Sequence, residues 1–388
     1  MTEATHVHEE LVQALQFLIP KTIYQDLRRL NTLAWAITGL CLKQTVRLSA
    51  WAEVTQSRAT LAASRVRRFS RWLHQPTISP FHWYRPVMQA ALVNFPQTAR
   101  LYLALDTTAF TPFVLIRVSL IYRGRALPLA WRAMQHQSTT VAFEDYQPVL
   151  EQARAILPGG CVITLLADRG FVHQRLLHYL RSQQWHFRLR LTGKTLIHLP
   201  AQSVVAVREL APPVGESCFF QHVALFAAAF EPVHLALASP FEHPDDPWFV
   251  ASDEPTSALT LEEYALRFGI EGAFLDEKSG GFQLQRSELA TAEALERLLL
   301  IIALATLHLT SIGAGVVQAG KRRWVDHHWD RGLSYLQLGA RWRRQQRQRG
   351  WQSFAPFRLD PAPDPFPAIA SRRAAQAASS TVELPMAA

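Results

Sequence analysis

Tyr264, Arg267, Glu271 and Lys278 stand at spacings of three, four and seven in the stretch YALRFGIEGAFLDEK. An α-helix turns by about 100° per residue, so the four fall within roughly a 60° arc of one helix face. That face carries an aromatic hydroxyl, a guanidinium, a carboxylate and an ammonium. Two cations and one acid on a single stripe suit an anionic substrate together with a metal ion. Ordinary i, i+4 pairing on a solvated face explains the same stripe equally well. Leu266, Ile270, Phe274 and Leu275 would dock the helix, and Ser279-Gly280-Gly281 would stop it.

Two aspartates upstream shift the balance. RLYLALDTTAF reads as a strand ending in Asp106, and CVITLLADRGF as a buried strand ending in Asp168. A carboxylate at the end of an apolar strand loses hydration, which a cation or hydrogen bonds must offset. Capping of the following turn accounts for either aspartate taken alone.

The elements that must position these residues follow from periodicity. Residues 1–98 read as a helical N-terminal DNA-binding region, with Leu11, Leu15 and Leu18 opening an amphipathic pattern and Asn31 placed to cap a helix over residues 32–42. Within it, Arg65, Arg67, Arg68 and Arg71 lie among Val66, Phe69, Trp72 and Leu73, the layout of a helix resting against phosphates. From about residue 99 the period becomes two. FVLIRVSLIYRGRALPLAWRAM predicts a hairpin turning at Arg123-Gly124, followed by a helix over Phe143–Ile156, a helix over residues 173–183 and a strand in WHFRLRLTGK. Residues 195–258 are proline-rich with short β-like runs and read as a small β module between two α/β halves. Trp248 stands near its end. Residues 298–309 read as a buried core helix and not as a membrane span. KRRWVDHHWDRGLSYLQLGARWRRQQRQRG carries nine Arg or Lys against two Asp, with tryptophans interleaved, which suits a nucleic-acid groove. Arg341, Arg343 and Arg344 are its densest cluster. His327 and His328 are adjacent and point apart, which argues against a metal there.

Lys+Arg number 40 against 31 Asp+Glu, a formal charge of +9 with a pI near 9.8, and this favours a polyanionic partner. The 388 residues suffice for two or more domains. Cys41, Cys161 and Cys218 lack metal-ligand spacing and fit reduced, cytosolic thiols. The acidic N-terminus is not a signal peptide.

Strand-Asp, hairpin, helix, strand-Asp, insertion, helix-Glu is the order of an RNase H-like nucleotidyl-transfer domain. With Asp106 in LALDTTAF, Asp168 in LLADRGF and all four residues of a Tyr-x2-Arg-x3-Glu-x6-Lys signature, the chain resembles a DDE transposase of the insertion-sequence-four type. The resemblance covers roughly residues 60 to 340. It implies an α/β fold with an RNase H-like mixed sheet and flanking helices, interrupted by a β-rich insertion and preceded by the helical N-terminal domain. Catalytic parts would span 99–194 and 259–316, the insertion 195–258, a basic DNA-binding and dimerisation region 317–360, and a disordered tail 361–388.

Attack of water or a 3′-hydroxyl on a phosphodiester calls for two divalent ions about 3.5–4 Å apart, which three carboxylates can hold. The resemblance implies two Mg²⁺, with Mn²⁺ able to substitute, bridged by Asp106 and held separately by Asp168 and Glu271. It implies 3′-OH formation at terminal inverted repeats, a hairpin on the transposon end and joining to target DNA within a synaptic dimer. It implies DNA contacts from Tyr264, Arg267 and Lys278, and a β-module tryptophan stacking on a flipped base, for which Trp248 is the candidate. A bacterial cytoplasmic, nucleoid-associated protein with no membrane partner is expected. The alternatives are a silent or domesticated DNA-binding relative, and a nuclease of the same fold that never joins ends.

Overall fold

Apolar stripes at helical period build the N-terminal part, in which α1 (Glu3–Leu18), α2 (Lys21–Tyr24), α3 (Leu27–Lys43), α4 (Leu48–Val54), α5 (Ala62–Leu73) and α6 (Pro80–Ala91) precede the first strand. The computed structural model describes residues 2–136, 138–199, 204–227, 229–241 and 243–367. Thr2 caps α1 through Oγ1, which accepts the Thr5 N–H at 3.2 Å. Asp26, not Asn31, caps the next long helix, accepting the Arg28 N–H at 2.8 Å; Asn31 lies inside α3. An Asp at the break after Pro20 outcompetes a mid-pattern Asn because only the former has extended backbone, at φ −115° and ψ 123°.

Next come β1 (Arg100–Phe110), β2 (Phe113–Tyr122) and β3 (Arg125–Gln135), then α7 (Phe143–Ile156), β4 (Val162–Ala167), α8 (Gln174–Ser182) and β5 (His186–Arg190). Arg123 and Gly124, both at positive φ, form the two-residue turn expected between β2 and β3. The insertion supplies β6 (Leu196–His198), β7 (Val204–Ala206), β8 (Ser217–Leu225), β9 (Phe230–Ala238) and β10 (Trp248–Ser252). All ten strands join one sheet in the order β3-β2-β1-β4-β5-β10-β9-β8-β6-β7. β1, β4 and β5 are mutually parallel and every other pairing is antiparallel. The insertion is therefore not a separate module between two halves. β10 returns to pair with β5, Ala251 opposite Leu189, and carries the sheet onward.

Consecutive residues Leu103, Ala104 and Leu105, and Phe113 to Leu120 in β2, are buried, so helices cover both faces of the sheet there. β1 does not end at Asp106. Its pairing with β4 ends at Leu105 opposite Ala167, while its pairing with β2 runs on to Phe110.

The stretch from Tyr264 to Lys278 is helical but not one uniform helix. α9 (Ala258–Ala265) passes through a 3₁₀ turn at Leu266–Phe268 into α10 (Gly269–Leu275) and then a π turn at Asp276–Gly280. The residues per turn change twice, so a constant 100° step does not describe it. Ile270 and Phe274 are buried as expected, but Leu266 and Leu275 are exposed. α11 (Ala292–Gln318) is long and apolar enough to cross a membrane, yet 94% of its most apolar window is buried within the protein. It packs against α3, α6, β3 and α12 (Tyr335–Gln345). Glycine permits the last contact: a Cβ on Gly339 would fall 1.9 Å from the Leu309 carbonyl oxygen.

The C-terminal stretch does not detach at residue 361. Asp360 pairs with Arg123 at 2.8 Å, and Asp364 accepts from Arg331 at 2.9 Å and from the Tyr335 hydroxyl at 2.5 Å. Residues 368–388 of the expected disordered tail lie outside the described residues.

Candidate active site

The parallel register brings Asp106 and Asp168 side by side, each one residue beyond the Leu105–Ala167 pair at which the β1–β4 ladder ends. Asp106 Oδ1 accepts the Thr107 N–H at 2.8 Å, and Asp168 Oδ1 accepts the Arg169 N–H at 2.7 Å. These local bonds are the capping that either aspartate alone allowed, and each leaves a second oxygen for another partner.

Arg267 ties the third acid to them. Its Nη2 donates to Glu271 Oε1 at 3.0 Å, and its Nη1 lies 3.8 Å from Asp106 Oδ2. The side chain is only 4% exposed. Burial works to lower its pKa, but Tyr264, Asp168, Asp106 and Glu271 together overcome it, and the net shift is upward. The Asp106 pKa is also raised, above that of a free carboxylate. Burial raises its pKa, Arg267 and the Thr107 N–H oppose, and the negative charges of Asp168 and Glu271 add to the rise. So all three acids and one arginine share a single electrostatic site. The carboxylate oxygens of Asp106, Asp168 and Glu271 are nevertheless not all within 4.8 Å of one another.

An aromatic wall holds the guanidinium. It lies 4.7 Å from the Phe268 ring centroid and 5.9 Å from that of Tyr264, geometry suited to cation–π attraction. Trp248, half-buried at the start of β10, packs edge-on to Tyr264 at 5.4 Å and against Phe268 at 5.6 Å. Tyr264 is fully buried, so in this conformation it supports Arg267 and offers nothing to an external ligand.

Lys278 reaches the same strand from the π turn, donating from Nζ to Thr108 Oγ1 at 2.6 Å. Asp106 and Thr108 are two apart and point to one face of β1. Burial and Arg117 lower the Lys278 pKa, against Glu277 and Asp106.

Two residues outside the predicted set hold this arrangement. Arg117 sits opposite Asp106 in register and makes a two-pronged ion pair with Glu277, at 2.7 and 2.5 Å, with side chains 1% and 2% exposed. Arg117 also stacks 4.4 Å from the Phe274 ring. The signal was one charge in the apolar strand FVLIRVSLIY, since a buried arginine needs an acid somewhere. Glu263 does the same for α9, accepting from Tyr102 and Arg188 at 2.6 Å each.

Among the described residues, two clusters elsewhere do have donor atoms within 4.8 Å of one another, and both are engaged by the protein itself. Asp326 accepts from Arg322, from the His328 ring and backbone, and from Gly332. His186 contacts Asp253, while Glu254 is gripped by Arg100 and Arg188.

The basic helices divide. In α5, Arg67 and Arg71 are exposed, whereas Arg65 donates to the Ala52 carbonyl and Arg68 to Thr32. In α12, Arg344 is exposed and Arg341 bonds the Val325 carbonyl. Arg343 is fully buried and pairs with Glu10 at 2.7 Å, fastening the C-terminal region to α1. A uniform outward row of arginines is thus not what folds, because residues one or two apart on a helix point to different faces, so each cluster sends members inward as well. Replacing Arg67 and Arg71 by Gln should lower the log–log salt slope of DNA binding by about 0.9 for each phosphate no longer neutralised. Arg343→Gln should leave the slope alone and lower the melting temperature. A changed slope with unchanged melting would put Arg343 on the DNA.

No protein-family model matches the chain, and no curated protein matches its sequence. Among solved structures, a cryo-EM structure of a piggyBac transposase synaptic complex with hairpin DNA is similar at a TM-score of 0.42 and 10% identity, over 99% of this chain and 84% of that one.

Proposed function

We propose that this chain is a DDE transposase of the insertion-sequence-four type, cutting DNA at terminal inverted repeats and joining the freed ends to target DNA. The observation that carries this reading is the meeting of Asp106, Asp168 and Glu271, distant in sequence, in the field of one buried arginine. The strand order β3-β2-β1-β4-β5, with two antiparallel and then three parallel strands, supports an RNase H-like catalytic core.

The donor set suits hard divalent cations: three carboxylates and no thiolate or imidazole. Its fit shows at Asp106, where burial first, and then the negative charges of Asp168 and Glu271, raise the pKa, a load that a bound cation would relieve. Two ions of the Mg²⁺ type held by Asp106, Asp168 and Glu271 would activate the attacking oxygen and stabilise the leaving one.

The chain's own groups do the rest. The Thr107 and Arg169 backbone N–H groups orient the two aspartates. Lys278, tethered to Thr108 beside Asp106, offers a point charge to a phosphate. Exposed Arg67, Arg71 and Arg344 meet the DNA backbone, and Trp248 is our candidate for stacking on an unpaired base. We further propose action as a dimer on two paired ends, in the bacterial cytoplasm.

The test is incubation of the full chain with the DNA flanking its own gene and Mg²⁺ or Mn²⁺. Our reading expects a 3′-hydroxyl at a repeat boundary, a hairpin on the element's end, and joined products. Cleavage without joining would favour a nuclease of the same fold. No cleavage with either ion would overturn the reading.

A further inference from the structure

Arg267 is already paired where a substrate-gripping arginine would be free. Its guanidinium bridges Asp106 on β1 and Glu271 on α10, with Asp168 in its field, and the Glu271 oxygen it holds is one that an incoming cation would use. Phe268 and Tyr264 fix it from the other side. Its Nε is buried without a partner, so the aromatic wall holds the group without using all its donors.

From this geometry we infer that Arg267 is the resident counter-ion of the carboxylate site, and that its ion pairs and a divalent ion compete for the same acids. The inference rests on our reading of Asp106, Asp168 and Glu271 as the metal-binding set. A fixed positive charge a few ångströms from those oxygens opposes a second cation by direct Coulomb repulsion. Linkage makes the effect mutual: by whatever factor Arg267 weakens ion binding, a bound ion weakens the hold on Arg267. Loading the site would thereby release the guanidinium, whose planar fork suits a phosphate. The grip on DNA would follow ion binding and not precede it.

Mn²⁺ binding to the full chain without DNA, followed by the loss of the free-ion paramagnetic resonance signal, tests this. Arg267→Gln should bind Mn²⁺ about tenfold more tightly than the wild type. Without Mn²⁺ it should melt at a lower temperature, and saturating Mn²⁺ should raise its melting temperature by more than it raises that of the wild type. Should the glutamine variant not fold, Arg267→Lys, which keeps the repelling charge but cannot bridge Asp106 and Glu271 at once, should bind Mn²⁺ more tightly than the wild type by less than the roughly tenfold expected of glutamine. Equal Mn²⁺ affinity in wild type and variant would overturn the competition while leaving the site intact. A second arm separates the underlying reading. Asp106→Asn with Glu271→Gln, added to Arg267→Gln, should abolish the tight Mn²⁺ site. If binding survives those changes, the ion sits elsewhere and the inference falls with the site.

Discussion

Asp106→Asn should reduce metal-dependent strand cleavage by on the order of 10³-fold or more while DNA affinity stays near the wild-type value. Ions held by carboxylates supply several kcal/mol of transition-state stabilisation, and each 1.36 kcal/mol is about tenfold in rate. Asparagine keeps the shape and the Thr107 hydrogen bond but removes the charge that an ion needs. DNA affinity should hold or rise, because a carboxylate near phosphates repels them. Folding is not at risk. Burial disfavours the ionised form of Asp106 in the folded protein, so its charge is not a source of stability. The variant should melt at or near the wild-type temperature, which separates lost chemistry from lost structure. Asp168→Asn and Glu271→Gln should behave alike in single-turnover cleavage of a repeat-end substrate. Cleavage within about tenfold of wild type for any one of the three would remove that residue from the site.

The second large effect belongs to a pair far from solvent. Glu277→Ala should destabilise the protein by about 3–5 kcal/mol, because it leaves the Arg117 guanidinium charged and buried without a counter-charge. Glu277 lies in the π turn next to Lys278, and Arg117 lies opposite Asp106, so the pair pins this helical run to the sheet. Loosening it should also move Lys278 away from Thr108. Urea unfolding measures the stability change. The double replacement Arg117→Met with Glu277→Leu should recover much of the loss, since well-packed apolar groups often match or exceed a buried ion pair. A loss below about 1 kcal/mol in Glu277→Ala, the range of exposed pairs, would mean that water reaches the pair.

Composition, period and spacing determined a good deal by themselves. The helical start, the hairpin at Arg123-Gly124, the strands leading to both aspartates, and the helical stretch with Arg267 and Glu271 were all readable. They are local: period two or 3.6, turn residues, and breaks at proline or glycine. Tertiary structure alone decided three further matters. The return of β10 to β5, which turns an insertion into a continuation of the sheet, depends on backbone pairing between residues about sixty positions apart. The fate of each arginine was equally hidden. Arg67 and Arg343 look alike in sequence, yet one meets solvent and the other meets Glu10, because burial depends on what packs alongside. Last, the stripe of Tyr264, Arg267, Glu271 and Lys278 suggested four groups offered outward. Packing instead buried Tyr264, turned Arg267 onto the acids and tied Lys278 to Thr108. A guanidinium placed among three carboxylates is held there by charge, and no spacing along one chain segment reports acids contributed by two other strands.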